Sequence, residues 1–224
     1  MRVSEARAIG AALAKLPADS IAPCLNVGSS TGEFRTVAQP HIDRLIFALL
    51  RERGVRVIHA DIKAAPGVDL VGDVYDPAFK AEVTAISPRL VICSNLLEHI
   101  EDREGFMDFC RDVLALGGRI LLTVPCSYPY HLDPIDTGYR PAPAELETLF
   151  PGYTVEWSEE VADSTYWDEL KVQSAGQWMR FLTLMAKAPW LALTSRTRFL
   201  SRYHRLLWLF RPYSVSCVLV RKPG

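Results

Sequence analysis

The feature that most constrains the fold is an alternation of short apolar runs with helical patterns between residues 22 and 125. The apolar runs predict five strands, at residues 22–27, 55–61, 68–74, 89–95 and 119–125. The stretches between them favour helices, because apolar residues recur in them at helical spacing. Strands that alternate with helices are typical of a parallel sheet covered by helices on both faces.

The remaining segments extend this pattern without calling for a second domain. A chain of 224 residues fits one domain, and we expect a single domain over 1–224. A helix is predicted within residues 1–20. Two further strands are predicted at 154–161 and 214–222, separated by a basic, aromatic and helical insert at 164–212.

Charge is distributed unevenly along the chain, although the formal net charge is only −1. Residues 171–224 contain ten Lys or Arg and no Asp or Glu, whereas the first 170 residues contain 15 basic and 26 acidic side chains. This asymmetry indicates that the C-terminal segment meets an anionic partner. The acidic remainder would repel a polyanion, so a nucleic-acid substrate is disfavoured.

No stretch has the character of a secretory leader or a membrane span. The first apolar run, Ile9 to Ala14, is too short for a secretory core, and no uncharged run approaches the ~18 apolar residues that cross a bilayer. Four of the five cysteines lie inside apolar runs and none forms a C-x-x-C pair, which is typical of buried reduced thiols. We therefore expect a cytoplasmic protein.

The first predicted strand runs into a glycine-containing turn, NVGSSTGEF, from Asn26 to Phe34. Its G-x-S-x-G core matches the nucleophile elbow of a serine hydrolase, with Ser30 as the nucleophile. That arrangement needs an acid and then a histidine later in the chain, and only His204 follows Asp133 and Asp136. The residue order therefore disfavours the hydrolase hypothesis.

The alternative interpretation is a turn that seats a nucleotide cofactor. Gly28 and Gly32 allow the backbone to bend tightly and to approach a ligand closely. Asp61 ends the second predicted strand, where a carboxylate suits a ribose diol. Asp73 and Val74 end the third, where an adenine would find an acceptor and an apolar wall. The turn lacks a P-loop lysine and is not G-x-G-x-x-G, which leaves a nucleoside without phosphate.

These residues resemble the motifs of the class I S-adenosylmethionine-dependent methyltransferases. Asn26-Val-Gly28-Ser-Ser30-Thr-Gly32 resembles the first motif of that family, D/E-x-G-x-G-x-G, and His59-Ala-Asp61 and Gly72-Asp73-Val74 resemble its two following acidic positions. Further similarity lies in SNLLEH (94–99), LALGGRILLTVP (114–125) and YPYHLDPIDTGYRP (128–141). The last stretch resembles a loop of small-molecule and sugar-directed members. The resemblance covers residues 22–150 and, in outline, the last two strands.

The resemblance implies an α/β fold with a Rossmann-like, doubly wound sheet of seven strands, the last one antiparallel and preceded by a helical insert. It implies S-adenosyl-L-methionine as cofactor. The implied cofactor contacts are Asn26, Gly28, Ser30, Gly32, Asp61, Asp73, Val74 and Asn95. The implied activity is methyl transfer to a polar small-molecule or glycan-type acceptor, which includes lipid-linked acceptors.

Two positions depart from the family motif. Asn26 stands where the first acid is expected, and Ser30 stands where the middle glycine is expected. An amide keeps an acceptor oxygen but loses the charge that would face the cofactor's ammonium group, so we expect weakened rather than abolished cofactor binding. The departure at Asn26 also keeps open a non-catalytic S-adenosylmethionine-binding module with the same fold.

The loop after the fifth strand carries the candidate catalytic groups. His131 titrates near neutrality and is the candidate general base, with Asp133 and Asp136 to orient it or to bind substrate. Arg140 would hold a carboxylate or phosphate of the acceptor. The same residues also suit turns and loop bracing. His-x-Asp-x-x-Asp is one way to bind Mg²⁺ or Mn²⁺, but no third acid stands at a suitable spacing, so we predict no metal.

Residues near the end of the fourth strand have two interpretations each. Asn95 is a candidate cofactor contact. His99 is expected to cap or brace the turn before the next helix, and Glu98 is open to both a bracing and a functional role.

The insert combines aromatic and basic residues. Over 197–211 the spacing predicts one helix, with Phe199, Tyr203, Leu206 and Phe210 on one face and Arg198, Arg202 and Arg205 on another. Three interpretations remain open: an apolar face packed on the sheet, peripheral contact of 177–211 with the inner face of a membrane, and a lid or dimer contact.

Overall fold

One mixed sheet of seven strands organises the protein in a computed structural model that describes residues 1–130, 135–172, 175–195, 198–199 and 203–224. The strands are β1 (Cys24–Val27), β2 (Val57–Asp61), β3 (Leu70–Val71), β4 (Leu90–Ser94), β5 (Arg119–Pro125), β6 (Thr154–Thr165) and β7 (Pro212–Arg221). Their order is β3-β2-β1-β4-β5-β7-β6. β1 to β5 are parallel, and β7 is antiparallel to β5 and β6. This confirms the predicted Rossmann-like sheet with an antiparallel last strand.

Helices cover both faces of the sheet. The α-helices are α1 (Val3–Ala14), α2 (Pro40–Ile42), α3 (Ala48–Glu52), α4 (Pro77–Ile86), α5 (Arg103–Val113), α6 (Pro143–Glu147), α7 (Tyr166–Lys171) and α8 (Ala175–Thr194). Shorter elements are the 3-10 helices Ala18–Ser20, Leu97–His99 and His204–Trp208 and the π-helical turns Phe34–Ala38 and Asp43–Phe47. None of the helices in the described part of the chain is both long and apolar enough to cross a membrane.

The core forms one layer on each side of the sheet. On one side, Leu25 and Val27 of β1 pack with residues of α4, α5 and α6; on the other, Cys24 packs with α1 and with the helical segment 42–50. Successive side chains of a strand point to opposite faces, so Asn26 lies on the same face as Cys24. Four cysteines are buried in this core, as their apolar surroundings predict: Cys24, Cys93, Cys110 and Cys217.

The strand order predicts which edge of the sheet forms a ligand-binding site. The chain leaves β1 toward β2 and β3 on one side and returns to β4 on the other side. In open α/β sheets, ligands bind outside the carboxyl ends of the strands, at the point where the order reverses. The turn after β1 lies at that point.

The insert differs from its prediction in two respects. β6 continues to Thr165, so the first helix of the insert begins at Tyr166. Within 197–211, the described residues include the 3-10 helix His204–Trp208, which has about three residues per turn. Tyr203 is 4% exposed and Phe210 is 75% exposed, so the prediction that they share one helix face is wrong. Arg202, of the predicted basic face, lies outside the described residues.

Candidate functional site

A cleft of about 230 Å³ opens at the carboxyl ends of β1, β2 and β4. Four residues that the sequence predicts as cofactor contacts line it together: Gly28, Asp61, Asp73 and Val74. The other walls are aliphatic and aromatic, and their main contributors are Ile62, Tyr75, Phe79, Leu96, Ile100 and Phe106. The cleft therefore combines two carboxylates with apolar surfaces.

Gly28 allows the turn after β1 to pass close to one wall of this cleft. Its φ is +66°, in the left-handed region, and a Cβ added there would lie 2.7 Å from Cδ2 of Leu96. A side chain at this position is therefore excluded both by the backbone conformation and by the contact. Glycine at this position brings the backbone against Leu96, which itself lines the cleft.

Asp61 is held in one orientation by the backbone on both sides of it. Its Oδ2 accepts a hydrogen bond from the backbone N–H of Ser30 at 2.8 Å, and its Oδ1 accepts one from the N–H of Lys63 at 3.0 Å. A carboxylate offers about four lone-pair sites, so both oxygens keep capacity to accept from a ligand. The bond from Ser30 also links the turn after β1 to the end of β2.

Arg35 stabilises the turn after β1 through its backbone carbonyls. The sequence alone does not identify this residue. It is 4% exposed, and its Nη1 donates to the carbonyls of Ser29 at 2.8 Å and Ser30 at 2.7 Å. Its Nη2 donates to the carbonyl of Gly67. Burial lowers the pKa of the Arg35 guanidinium, while nearby carboxylates raise it. One buried cation thus joins two loops through their carbonyl oxygens.

Gly32 lies where the turn after β1 contacts the loop that contains Pro66 and Gly67. Its N–H donates to the carbonyl of Pro66 at 2.8 Å, and a Cβ added at Gly32 would lie 3.2 Å from Cα of Gly67. Gly32 is not among the residues that line the cleft. The structure therefore gives it a packing role, and its contact with a cofactor stays a prediction.

Ser30 contributes its backbone to the site. Its φ is +55°, its N–H binds Asp61, and its carbonyl accepts from Arg35. Within the described ranges, no hydrogen bond joins the Ser30 hydroxyl to a histidine. The arrangement favours a loop that holds a ligand over a nucleophile elbow.

Asn26 is turned away from the cleft. It is 5% exposed, and its Nδ2 lies 3.0 Å from Nδ1 of His59 on the neighbouring strand. The amide donates to a ring nitrogen that carries no proton, and burial, with help from Arg35, lowers the pKa of His59 to about 4. Asn26 and His59 therefore form a neutral pair, and contact of Asn26 with a cofactor stays a prediction.

Asn95 binds the N-terminal helix instead of lining the cleft. Its φ is +51°, and its Nδ2 donates to Oε1 of Glu5 at 2.8 Å. The same Glu5 oxygen accepts from the hydroxyl of Thr123 at 2.7 Å, and Glu5 is 1% exposed. This buried carboxylate ties α1 to the ends of β4 and β5. Asn95 is not among the residues that line the cleft, and its contact with a cofactor stays a prediction.

The loop after β5 is braced by an ion pair. Nη2 of Arg140 lies 2.7 Å from Oδ2 of Asp136, and Nη1 lies 3.1 Å from Oδ1. Nη1 of Arg140 also donates to the carbonyl of Tyr139 at 2.9 Å. The predicted base His131 and its neighbour Asp133 lie outside the described residues. Arg140 and Asp136 therefore bind each other here, and their roles toward a substrate stay predictions.

Glu98 is a buried carboxylate in the 3-10 helix that follows β4, and Nε2 of His99 lies 3.8 Å from its Oε1. It is fully buried, and among the described residues neither of its carboxylate oxygens has a hydrogen-bond partner. Burial raises the pKa of Glu98 to about 7, against the opposing effects of its backbone and His99. The N–H of Thr137 donates to the Glu98 carbonyl at 2.9 Å, so the loop at 135–140 covers this position.

His99 contacts the loop after β5, since its Nδ1 lies against the carbonyl oxygen of Ile135, and its predicted role in the turn before α5 stays a prediction. Buried polar groups nearly always have hydrogen-bond partners, so a buried carboxylate whose His99 partner lies 3.8 Å away favours the protonated state. Glu98 is therefore a candidate group for holding or moving a proton.

The part of the chain that the structure describes holds no group of three or more His, Cys, Asp or Glu arranged to bind a metal.

Comparisons with known proteins identify the fold. No protein-family model matches the sequence, and no curated protein sequence matches it. A SAM-dependent methyltransferase from Archaeoglobus fulgidus is similar in structure, with a TM-score of 0.53 and 14% identity over 97% of this chain and 94% of that chain.

Two further solved structures are similar. The 1,6-didemethyltoxoflavin-N1-methyltransferase of Burkholderia thailandensis, with bound 1,6-didemethyltoxoflavin and S-adenosylhomocysteine, has a TM-score of 0.51 and 14% identity over 99% of this chain and 78% of that chain. The cyclase SpnF has a TM-score of 0.50 and 17% identity over 97% of this chain and 80% of that chain. At these identities the similarity shows a shared fold, and one of the three proteins is named for a cyclisation.

Proposed function

We propose that the protein transfers a methyl group from S-adenosyl-L-methionine to a polar small-molecule acceptor. One observation carries the proposal: the cleft at the ends of β1, β2 and β4 joins an oriented Asp61 carboxylate to apolar walls. This cleft lies in a fold shared with SAM-dependent methyltransferases. The fold is the weaker support, because it also occurs in a cyclase.

The residues of the cleft fit the adenosine part of this cofactor. A ribose diol presents two hydroxyl donors, and the two oxygens of Asp61 keep lone pairs to accept them. Asp73 offers an acceptor beside the apolar surfaces of Val74 and Tyr75, which suits a purine ring with an amino group. None of the described residues that line the cleft is Lys or Arg, which suits a ligand without phosphate.

When bound, S-adenosyl-L-methionine supplies a methyl group already activated by its sulfonium. The chain then has to orient the acceptor and accept its proton, and orientation alone is worth roughly 7–11 kcal/mol in favourable cases. His131 is the predicted base. The pKa of Glu98, raised to about 7, also suits this role, but Glu98 does not line the cleft, so His131 stays the first candidate.

The acceptor class that we propose is a polar small molecule or a glycan, which includes lipid-linked forms. Support comes from the resemblance of residues 128–141 to a loop of small-molecule and sugar-directed methyltransferases, and from the polar groups of Asp136 and Arg140 in that loop. We also propose a cytoplasmic location, which the buried thiols of the core support.

Calorimetric titration tests the cofactor assignment. We expect S-adenosylmethionine and S-adenosylhomocysteine to bind with one site per chain, and ATP and NAD not to bind, because no cation among the described cleft residues would receive their phosphates. Binding of ATP or NAD in preference to both adenosyl ligands would overturn the proposal.

The second candidate is a non-catalytic module that binds S-adenosylmethionine. The observation that favours it is the bidentate pair of Arg140 with Asp136, which occupies the predicted substrate-binding guanidinium. An acceptor screen that follows S-adenosylhomocysteine release separates the two: product release supports the enzyme, and cofactor binding without release supports the module.

The variant Ser30→Ala tests the serine hydrolase hypothesis. It is expected to keep full turnover, whereas a serine hydrolase would lose it.

A further inference from the structure

Helix α8 is apolar on two opposite sides. Its inner side packs against the protein: the ring of Trp178 lies 6.0 Å from that of Trp167, the ring of Phe181 lies 6.2 Å from that of Tyr166, and Leu191 is 7% exposed. These contacts fix the helix to α7 through aromatic rings.

The opposite side of α8 carries a second apolar stripe that faces solvent. We define the outer face of α8 as Met179, Leu182, Ala186, Trp190 and Leu193, which recur at spacings of three and four and so lie on one side of a helix. Met179 is 65%, Leu182 54%, Trp190 68% and Leu193 88% exposed. A row of exposed large apolar side chains on one side of a helix, unlike a single one, marks an interaction surface.

More apolar side chains are exposed beside this helix. Leu207 is 72% and Phe210 is 75% exposed, and the ring of Phe210 lies 6.1 Å from that of Trp167, which packs on the start of α8. Phe210 therefore lies near the inner side of α8, through Trp167 and Trp178, and is a separate exposed apolar side chain of the insert.

The charge of residues 171–224 indicates which kind of partner the outer face of α8 would bind. Residues 171–224 carry ten Lys or Arg and no Asp or Glu, and the exposed Lys187 and Arg211 lie within or close to the apolar surface in sequence. A second copy of the chain would bring two such basic segments together, which is unfavourable. An anionic lipid surface instead offers hydrocarbon to the apolar side chains and negative charge to the basic ones.

We infer that the outer face of α8 docks on an anionic membrane surface. Trp190 and Leu193 enter the interface between headgroups and hydrocarbon, where indole rings are favoured, and the exposed Lys187 of the same helix contacts the lipid phosphates. The helix lies in the plane of the membrane without spanning it. This inference does not depend on methyl transfer, and it would hold for the full-length protein with any activity.

Vesicle sedimentation with the full-length protein tests this inference. The probes are vesicles of phosphatidylcholine with and without phosphatidylglycerol, at low and at high salt. We expect binding to the anionic vesicles that weakens with salt, and much weaker binding to the neutral ones. The double variant Trp190→Glu/Leu193→Glu should lose at least about tenfold in partitioning, because it removes two inserting side chains and adds negative charge.

A matched control separates docking from a general charge effect. Val37 and Leu116 are each 70% exposed on other parts of the surface, so Val37→Glu/Leu116→Glu makes the same charge change outside α8. This control should sediment like the wild type. The inference is overturned by absence of binding to anionic vesicles at low salt, by equal loss in both double variants, or by a wild-type dimer that only the α8 variant dissociates and that does not bind vesicles.

Discussion

The buried Glu98 and the half-buried His59 give the protein opposite responses to pH. Burial raises the pKa of Glu98 from 4.5 to about 7, so the native state holds this proton more tightly than the unfolded chain. Its contribution to stability is present below pH 4.5 and is lost as the pH rises through 7. Burial lowers the pKa of His59 from 6.5 to about 4, so its contribution is present above pH 6.5 and is lost as the pH falls through 4.

Between pH 4.5 and pH 6.5 a rise in pH weakens the contribution of Glu98 to stability and strengthens that of His59. The variant Glu98→Gln should separate the contribution of Glu98 from that of His59. A neutral amide removes the cost of ionising Glu98, so the variant should gain about 2 kcal/mol relative to the wild type between about pH 5 and pH 8. Urea unfolding at these pH values measures the gain. The exposed neighbour Glu101 provides the control Glu101→Gln, which should show no such gain; equal behaviour of the two variants would contradict the burial of an ionisable Glu98.

At the scale of single residues, the sequence predicts which residues lie at strand ends better than it predicts which residues they contact. Asp61 and Asp73 follow apolar runs, so their place at strand ends is readable from the sequence, and both line the cleft. Strand alternation places Asn26 on the opposite face from Val27, and its contact with a cofactor stays a prediction. The hydrogen bond of Asn95 to Glu5, 90 positions away, follows no local pattern in the sequence.

At the scale of elements, the turn after β1 depends on a residue of the helix that follows it. Arg35 donates to carbonyls of Ser29, Ser30 and Gly67 from a buried position. Sequence reasoning missed Arg35 because its partners are backbone carbonyls, which any residue provides. Elements with strong local signals were predicted well, such as β5 at 119–125.

The helix predicted over 197–211 shows where local signals fail. Arg205 in this range binds Glu169 at 2.6 Å, and its Nε lies 3.1 Å from the hydroxyl of Tyr213. Both partners belong to other elements, α7 and β7. Tertiary contacts thus determine the conformation here, and helical spacing in the sequence does not report them.

Arg35→Ala should loosen the turn after β1. Three carbonyls would lose their donor, at about 1 kcal/mol each, so we expect a loss of about 3 kcal/mol in the free energy of unfolding. Arg51→Ala is the control, because Arg51 forms an exposed ion pair with Asp43 at 2.9 Å that is worth less than about 1 kcal/mol. Chemical denaturation measures both variants. Equal losses would show that Arg35 is no more important to the turn than a surface arginine.

At the scale of the whole molecule, α1 connects the sheet to the insert. Arg2 binds Glu169 of α7 at 2.6 Å, and Glu169 also binds Arg205 at 2.6 Å. Glu5 of the same helix binds the ends of β4 and β5 through Asn95 and Thr123. These contacts favour a single cooperative domain over 1–224.

The positions of the tryptophans make this prediction easy to test. All five lie between residues 157 and 208: Trp157, Trp167, Trp178, Trp190 and Trp208. Tryptophan fluorescence therefore reports on the insert and β6, whereas far-ultraviolet circular dichroism reports on the whole chain. In a single cooperative domain the two unfolding curves coincide. A fluorescence transition at lower denaturant would show that the insert unfolds separately.

Calorimetry of S-adenosylhomocysteine binding to Asp61→Asn tests the central claim most directly. The amide loses the charge that accepts the ribose hydroxyls, so we expect affinity to fall by about tenfold or more. Asp76→Asn is the matched control, because Asp76 lies on the same edge of the sheet, caps α4 and does not line the cleft. Unchanged affinity in Asp61→Asn, or an equal loss in both variants, would contradict a cofactor held by Asp61.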